Sequence, residues 1–461
     1  MSLVRYLLIG SIGLMGGSVP GFPQEGRTVP VPSFAGTQVA GSAINLTMAE
    51  TLKRVEAENL NVLLGKEFVQ QAIEAANRER SGLLPKVDID IRQTRAIVRL
   101  QQFGIGGGST GGEILSLEPI NNFSAKIIGS FKVIDPKARA VYEAARRGIS
   151  VSEYEYDLAV QEVLSAAART YYTHMRNKAR MTLVDSNIER ALVLLGLART
   201  QVEAGVATQI DLTRSMAQLA TEQQDRLQQE TVVVESGLVL KQILNIDPRA
   251  EIDLVSFRLD ETASSIPAAG SAEEAYATRK EHKRATEQLE QNKLKKRALR
   301  WQRFPTVDIF GEYGYGSSEA FDSDSEEAWL IGVSLNVPIF DGFQIESNKR
   351  LADSRIRAQE HVIRELENQI ESELVFAVQD ARSRLAQISV AEENRNLADE
   401  ELHLARIRFE QGVADNREVI DAQNSVARQN DNLVQAIYLY NLARLDLARV
   451  RGEVRMILSE R

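Results

Sequence analysis

The chain has 461 residues, 55 Lys and Arg against 64 Asp and Glu for a formal charge of −9, and no cysteine. The acidic balance excludes generic attraction to nucleic acid or to an anionic membrane surface. The missing cysteine excludes disulfides, thiolate metal sites, Cys nucleophiles and a thioether-linked lipid anchor.

Residues 3–19 are apolar with one charge, Arg5. Their core has the length of a signal-peptide h-region, so residues 1–19 are expected to direct export. The alternative is an apolar N-terminus that is disordered or packs on the fold. Residues 20–45 are rich in Pro, Gly, Thr and Val and read as an extended segment. No internal stretch reaches the roughly 18 apolar residues that a membrane helix needs.

A first repeat is expected over residues 46–248. Thr47 and Glu50 have capping-box spacing and open a helix expected to run to about Ser81, where Gly82 and Pro85 stop it. Lys86 to Arg92 then alternates strictly, with Val87, Ile89 and Ile91 on one face. A glycine-rich loop over 104–112 lacks the Gly-Lys-Ser/Thr ending of a phosphate loop and reads as a hairpin loop. The strand returning within 122–134 carries Phe123, Ala125, Ile127, Gly129, Phe131 and Val133 on one face. The hairpin thus occupies about 86–134. Asp135-Pro136 caps a helix of some 68 residues, roughly 100 Å at 1.5 Å per residue. It breaks at Glu203-Ala204-Gly205-Val206, and a second helix runs to Leu244.

Residues 249–270 read as a linker, and the plan then recurs over 271–455. A helix to Trp301 ends at Phe304-Pro305, and a hairpin follows over about 306–340 around an acidic loop. In its return strand Trp329, Ile331, Val333 and Leu335 share one apolar face. Another very long helix, from Gly342, breaks at Glu410-Gln411-Gly412-Val413, and a last helix runs to Arg451. The interval from Asp135 to Asp341 and the interval from Gly205 to Gly412 differ by a single position. Anchors that keep their spacing this closely mark an internal duplication.

Strands of about ten residues can cross an outer membrane at a tilt. The apolar faces can equally cover a soluble helix layer. Four strands per chain cannot close a barrel, and hydrocarbon forbids open sheet edges. If the strands span a membrane, two or three copies must share a barrel of eight or 12 strands. The four histidines, His174, His282, His361 and His403, are scattered through helices without metal-motif spacing. No nucleophile elbow or dinucleotide fingerprint is present, so no catalytic residue, metal ligand or cofactor is assigned, and the chain is not read as an enzyme.

The segment Arg408-Phe409-Glu410-Gln411-Gly412-Val413, continuing through Asp421-Ala422-Gln423, resembles the repeat signature of the outer-membrane efflux proteins, the TolC-like channels. The first-half copy around Gly205 and Asp211 departs from it at Val202, where an aromatic is expected. Val337-Pro338-Ile339-Phe340-Asp341-Gly342 resembles that family's strand-to-helix junction.

The resemblance implies a mainly α fold with a membrane β-barrel, in which a trimeric 12-stranded barrel, four strands per chain, continues as a long periplasmic α-helical barrel. It places residues 249–270 in an equatorial belt. It implies an exit duct in the outer membrane of a Gram-negative bacterium, serving efflux or type I secretion, with a periplasmic adaptor protein and an inner-membrane transporter as partners. Asp211, Glu418 and Asp421 would take the acidic pore-constriction positions, and the alternative for each is a helix-start cap. Arg417 would pair across helices in the closed state. Gly205, Val206, Gly412 and Val413 would form the adaptor-facing turns. Trp329, Ile331, Val333 and Leu335 would face outer-membrane lipid. A soluble periplasmic coiled-coil adaptor or scaffold is the rival class. Drug, metal and protein cargo remain open, because a passive duct is largely indifferent to cargo chemistry.

Overall fold

The computed structural model describes residues 44–96, 119–254, 272–319 and 325–453. The expected signal peptide, the glycine-rich loop, most of the 249–270 linker and the centre of the acidic loop lie outside these residues.

The first strand, β1 (Ile44–Leu46), leads into helix α1 (Met48–Glu58). Thr47 caps that helix: its Oγ1 accepts from the Glu50 N–H at 3.2 Å, and the Glu50 carboxylate accepts from the Thr47 N–H at 2.9 Å. The single helix expected to Ser81 is instead two. Asn59 adopts an extended conformation, donates to the Ile243 carbonyl at 2.8 Å and caps α2 (Leu60–Ser81). The second half has the same break. Arg279 is extended between α5 (Ala272–Thr278) and α6 (Lys280–Trp301). Its 3 % exposed guanidinium is held by Glu373 at 2.6 Å and Glu281 at 3.1 Å. Asn59 and Arg279 stand as far apart along the chain as Pro85 and Pro305, so the kink is duplicated with the helix.

Four antiparallel strands form one open sheet in the order β2 (Lys86–Ala96), β3 (Ile120–Ile134), β5 (Thr306–Ser317) and β6 (Glu326–Asn336). Its register puts Ile89 across from Ile127, Ile127 across from Tyr313 and Tyr313 across from Trp329. One face is therefore apolar from edge to edge. The other carries Asp88, Asp90, Lys126, Asp308 and Glu312, with Lys126 bound to Glu312 at 2.9 Å. One detail differs from strict alternation. A bulge at Val133 brings Ile134, rather than Val133, across from Val307.

The long helices α3 (Pro136–Glu203) and α7 (Gln344–Glu410) leave the sheet from β3 and β6. In the half nearer the sheet, neighbours run α2, α3, α6, α7. In the far half, α4 (Gln209–Ile243) and α8 (Asn416–Arg451) join them in the order α4, α3, α8, α7. Between the halves, β4 (Ile252–Leu254) pairs in parallel with β1. This pair covers a core of Leu52, Val55, Leu164, Tyr171, Leu240 and Leu244. The Tyr171 hydroxyl reaches the Leu46 carbonyl at 3.3 Å, and burial pushes its pKa up to about 12. The start of the expected linker is thus part of the core. No helix among the described residues is long and apolar enough to cross a membrane.

The lateral edges share one property. Among the described residues β2 and β6 have no strand on their outer sides. Leu60, Leu64 and Phe68 are exposed on α2. Val362, Phe376, Val390, Leu397 and Leu404, spaced by multiples of seven, are exposed along α7.

Candidate functional site

The end farthest from the sheet is built from two copies of one turn. α3 closes with the Val206 N–H on the Gln201 carbonyl at 2.9 Å and the Gly205 N–H on the Val202 carbonyl at 3.0 Å. α7 closes with Val413 on Arg408 and Gly412 on Phe409, both at 3.0 Å. These are paired Schellman turns, and Gly205 and Gly412 take the left-handed position at φ 75° and 71°. The turns lie side by side: a Cβ on Gly412 would meet Val206 Cγ1 at 3.6 Å. Val206 and Val413 point outward, 65 % and 68 % exposed.

Polar side chains stitch the two hairpins together. The Gln201 amide donates to the Phe409 carbonyl at 3.0 Å. Asn416 is fully buried and donates to the Asp211 carbonyl at 2.9 Å and Ser215 Oγ at 2.6 Å. Phe409 fills the small core here with Leu194, Ala405, Val419 and Ala422. Val202, its counterpart in the first turn, is not part of that cluster.

The three acidic positions are not equivalent. Asp211 is 7 % exposed. Its carboxylate accepts from the Thr208 N–H at 3.0 Å and from the Thr208 hydroxyl at 2.5 Å, and Arg214 lies 3.6 Å away. Of its two expected roles this geometry is that of the helix cap, because Thr at the N-cap and Asp at the third position close a capping box. Glu418, at the matching position of the second repeat, has no such box. Asp415 caps α8 instead, and Glu418 pairs with Arg408 of α7 at 3.2 Å. Asp421 is exposed and pairs with Arg417 at 3.7 Å. Within the chain the partner of Arg417 therefore lies one turn along its own helix. Arg408 makes the cross-helix pair.

A polar band above the tip escaped the sequence reading. The positions of α4 buried within the chain include Ser215, Glu222, Gln229 and Ser236, each seven residues from the last. Gln229 donates to the Asn177 carbonyl at 2.8 Å. Gln218 bridges Glu222 at 2.8 Å and Asn424 of α8 at 3.1 Å. Burial pushes the Glu222 carboxyl up, opposed by hydrogen bonds from Gln218 and Asn187. The apolar positions Leu227 and Val234 of α4 are meanwhile exposed. From Ser215 to Ser236, α4 is inside-out relative to an ordinary amphipathic helix. The signal was the seven-residue spacing of polar residues, which a search for apolar stripes passes over.

Trp329, Ile331, Val333 and Leu335 lie on the apolar sheet face and are 66–74 % exposed. No group of acidic and histidine side chains with metal-site geometry occurs among the described residues.

Residues 272–453 match the family model described as outer membrane efflux protein. The pyoverdine export outer membrane protein OpmQ of Pseudomonas aeruginosa is 22 % identical, over 98 % of this chain and 96 % of its own. The outer membrane protein OprJ of the same species is 26 % identical over 66 % of this chain and 69 % of its own. The outer membrane channel CmeC of Campylobacter jejuni superposes with a TM-score of 0.77 at 19 % identity, covering 88 % of this chain and 86 % of that one.

Proposed function

Since the chain belongs to the outer membrane efflux protein family and is an outer-membrane duct with a long periplasmic extension, we propose that three copies close side by side into one conduit. The carrying observation is that every lateral edge is unfinished in the same sense. Among the described residues β2 and β6 each leave their outer edge unpaired, and α2, α4 and α7 turn apolar residues away from their own chain. Unpaired strand edges are not tolerated in hydrocarbon, so β6 of one copy joins β2 of the next. The same contact seats α7 on the neighbouring α2 near the sheet and on the neighbouring α4 beyond the belt. Three copies give a 12-stranded barrel whose apolar face, including Trp329, Ile331, Val333 and Leu335, meets lipid.

The far end is the gate. Three-fold symmetry gathers Glu418 and Asp421 into carboxylate rings that attract cations and repel one another. Asp211 holds the first turn in shape. Val206 and Val413, projecting from the glycine turns, form the contact for a periplasmic adaptor that links the duct to an inner-membrane transporter. The duct supplies no chemistry and conducts passively. The alignment with a pyoverdine exporter along nearly the whole chain favours small-molecule efflux over protein secretion.

The test is mass in detergent by sedimentation or light scattering. A three-chain particle is expected, and the double variant Leu397→Glu, Leu404→Glu should release folded single chains. A monomeric wild type, or a double variant that stays trimeric, refutes the seam.

A further inference from the structure

The junction between β6 and α7 carries a feature the duct does not require. Gly342 and Phe343 are consecutive left-handed residues, at φ 66° and 67°. Glycine adopts that conformation freely, whereas a bulky L-residue is strained in it. Strain of this kind persists where the surroundings enforce it, and it points toward function.

Packing within the chain gives Phe343 little return. Its ring is 66 % exposed and meets Phe340, itself 76 % exposed, edge-on at 5.6 Å. Ile339 is 96 % exposed. The backbone around these side chains is nonetheless fixed: Asp341 accepts from the Ile345 N–H at 2.7 Å, and Ile345 is buried. The corresponding place in the first half passes from Ile134 through Asp135 directly into α3, with no left-handed residue.

The position narrows the partner. β6 ends at Asn336 where the sheet meets the helices, and the apolar face runs down it through Leu335 to the exposed Val337. Pro338 has no N–H, so the segment beyond has stopped being a strand that a second copy could pair with. Trp301 and Phe304 stack edge-on at 5.3 Å in the α6–β5 turn at this same end of the sheet. Residues 295–303 contain five Lys or Arg and no acid. Of these, Arg300 is exposed, and Arg303 stays half-exposed although Glu346 lies 3.1 Å away. Aromatic rings beside cations mark the boundary between acyl chains and phosphate headgroups.

We propose that Ile339, Phe340 and Phe343 insert into the periplasmic leaflet at that boundary, as an anchor that fixes the height at which the duct stands. The proposal rests on the barrel reading above, and its test separates the two. The protein has two tryptophans. One reporter is W301F, which leaves Trp329 alone on the sheet. The other is F343W in a W301F, W329F background, with F340W in the same background should the first fold poorly. Both are reconstituted in phosphatidylcholine vesicles brominated either just below the headgroup or near the chain end.

The expected result is that shallow bromines remove most of the F343W emission and deep bromines remove much less, with Trp329 also quenched. Quenched Trp329 beside a red-shifted, unquenched F343W reporter places the junction in water and overturns the anchor alone. A blue-shifted but unquenched reporter means that protein covers it, a second copy first of all, and also overturns the anchor alone. Trp329 unquenched by either lipid overturns the barrel reading and the anchor with it.

Discussion

Acid should loosen this duct through one buried histidine. His174 of α3 is 5 % exposed, with its Nδ1 2.9 Å from Ser236 Oγ of α4. A Cβ on Gly237 would lie 3.2 Å from the ring, so the glycine makes room for it. Burial, assisted by Lys178 and Lys241, lowers its pKa from 6.5 to about 4. The folded protein therefore keeps the ring neutral while the unfolded chain protonates near 6.5. Between those values the unfolded state binds a proton that the folded state refuses. The stabilising contribution is whole above 6.5 and drains away as pH falls toward 4. At about 1.4 kcal/mol per pH unit, the gap is worth about 3 kcal/mol per chain. His174→Gln keeps a polar partner for Ser236 and removes the titration. Denaturant unfolding in detergent at about pH 7.5 and about pH 4 should show the wild type losing about 3 kcal/mol more per chain than the variant. Using the difference between the two proteins cancels the carboxylates that titrate in both. Equal acid losses would refute the assignment.

Three further outcomes concern the tip. Gly412→Val forces a β-branched residue into a left-handed turn at a cost of about 1–2 kcal/mol; trimers should persist in detergent while export falls, and undiminished export would show that the turn is not a contact. Glu418→Gln with Asp421→Asn should weaken multivalent-cation block of single-channel current, whereas block as strong as in the wild type would remove both from the constriction. Phe409→Ala empties the core shared by α7 and α8 and should destabilise the far end by about 3–5 kcal/mol. Faster hydrogen exchange near residues 405–422 would register it, and exchange rates unchanged from wild type would place the ring's contribution elsewhere.

What could be read from the sequence was whatever repeats or alternates over many residues. The sheet-facing patterns, the two long helices and both glycine turns have that character, and the matched intervals between their anchors located them twice. Shorter devices were lost. β1 and β4 contribute three residues each, too few for a period of two to declare itself, and their pairing joins segments far apart in the chain. Asn59 and Arg279 interrupt helices without proline or glycine. What stops each helix is tertiary, a carbonyl of α4 in one case and a carboxylate of α7 in the other. The acidic residues near the tip show the limit for sites. Asp211 and Glu418 occupy the same repeat position, and only the neighbouring cap, Thr208 or Asp415, decides whether the carboxylate turns inward or remains available to Arg408.

The two halves differ where the proposed three-fold assembly has most use for difference. Their far helices end alike: Asn245 and Gly452 are both left-handed, and the interval between them equals that between the turns at Gly205 and Gly412. Staves of unequal length would not close a wall, so these spacings are bound to one another. At the tip, Phe409 and Glu418 stand where the first half has Val202 and a committed Asp211. The second hairpin thus holds both the larger core anchor and the available charge. α4, by contrast, lies on its own chain through a polar seam that includes Ser215, Glu222, Gln229 and Ser236. Such a seam gains little from excluding water and keeps its hydrogen-bonding alternatives when it slides. α4 is therefore the helix that its own chain holds by the weaker hydrophobic contact and that a neighbouring copy in the proposed ring, through Leu227 and Val234, is free to hold. Opening that moves a hairpin within the ring should then separate α4 from α3 and α8 of its own chain before it breaks the seam between copies.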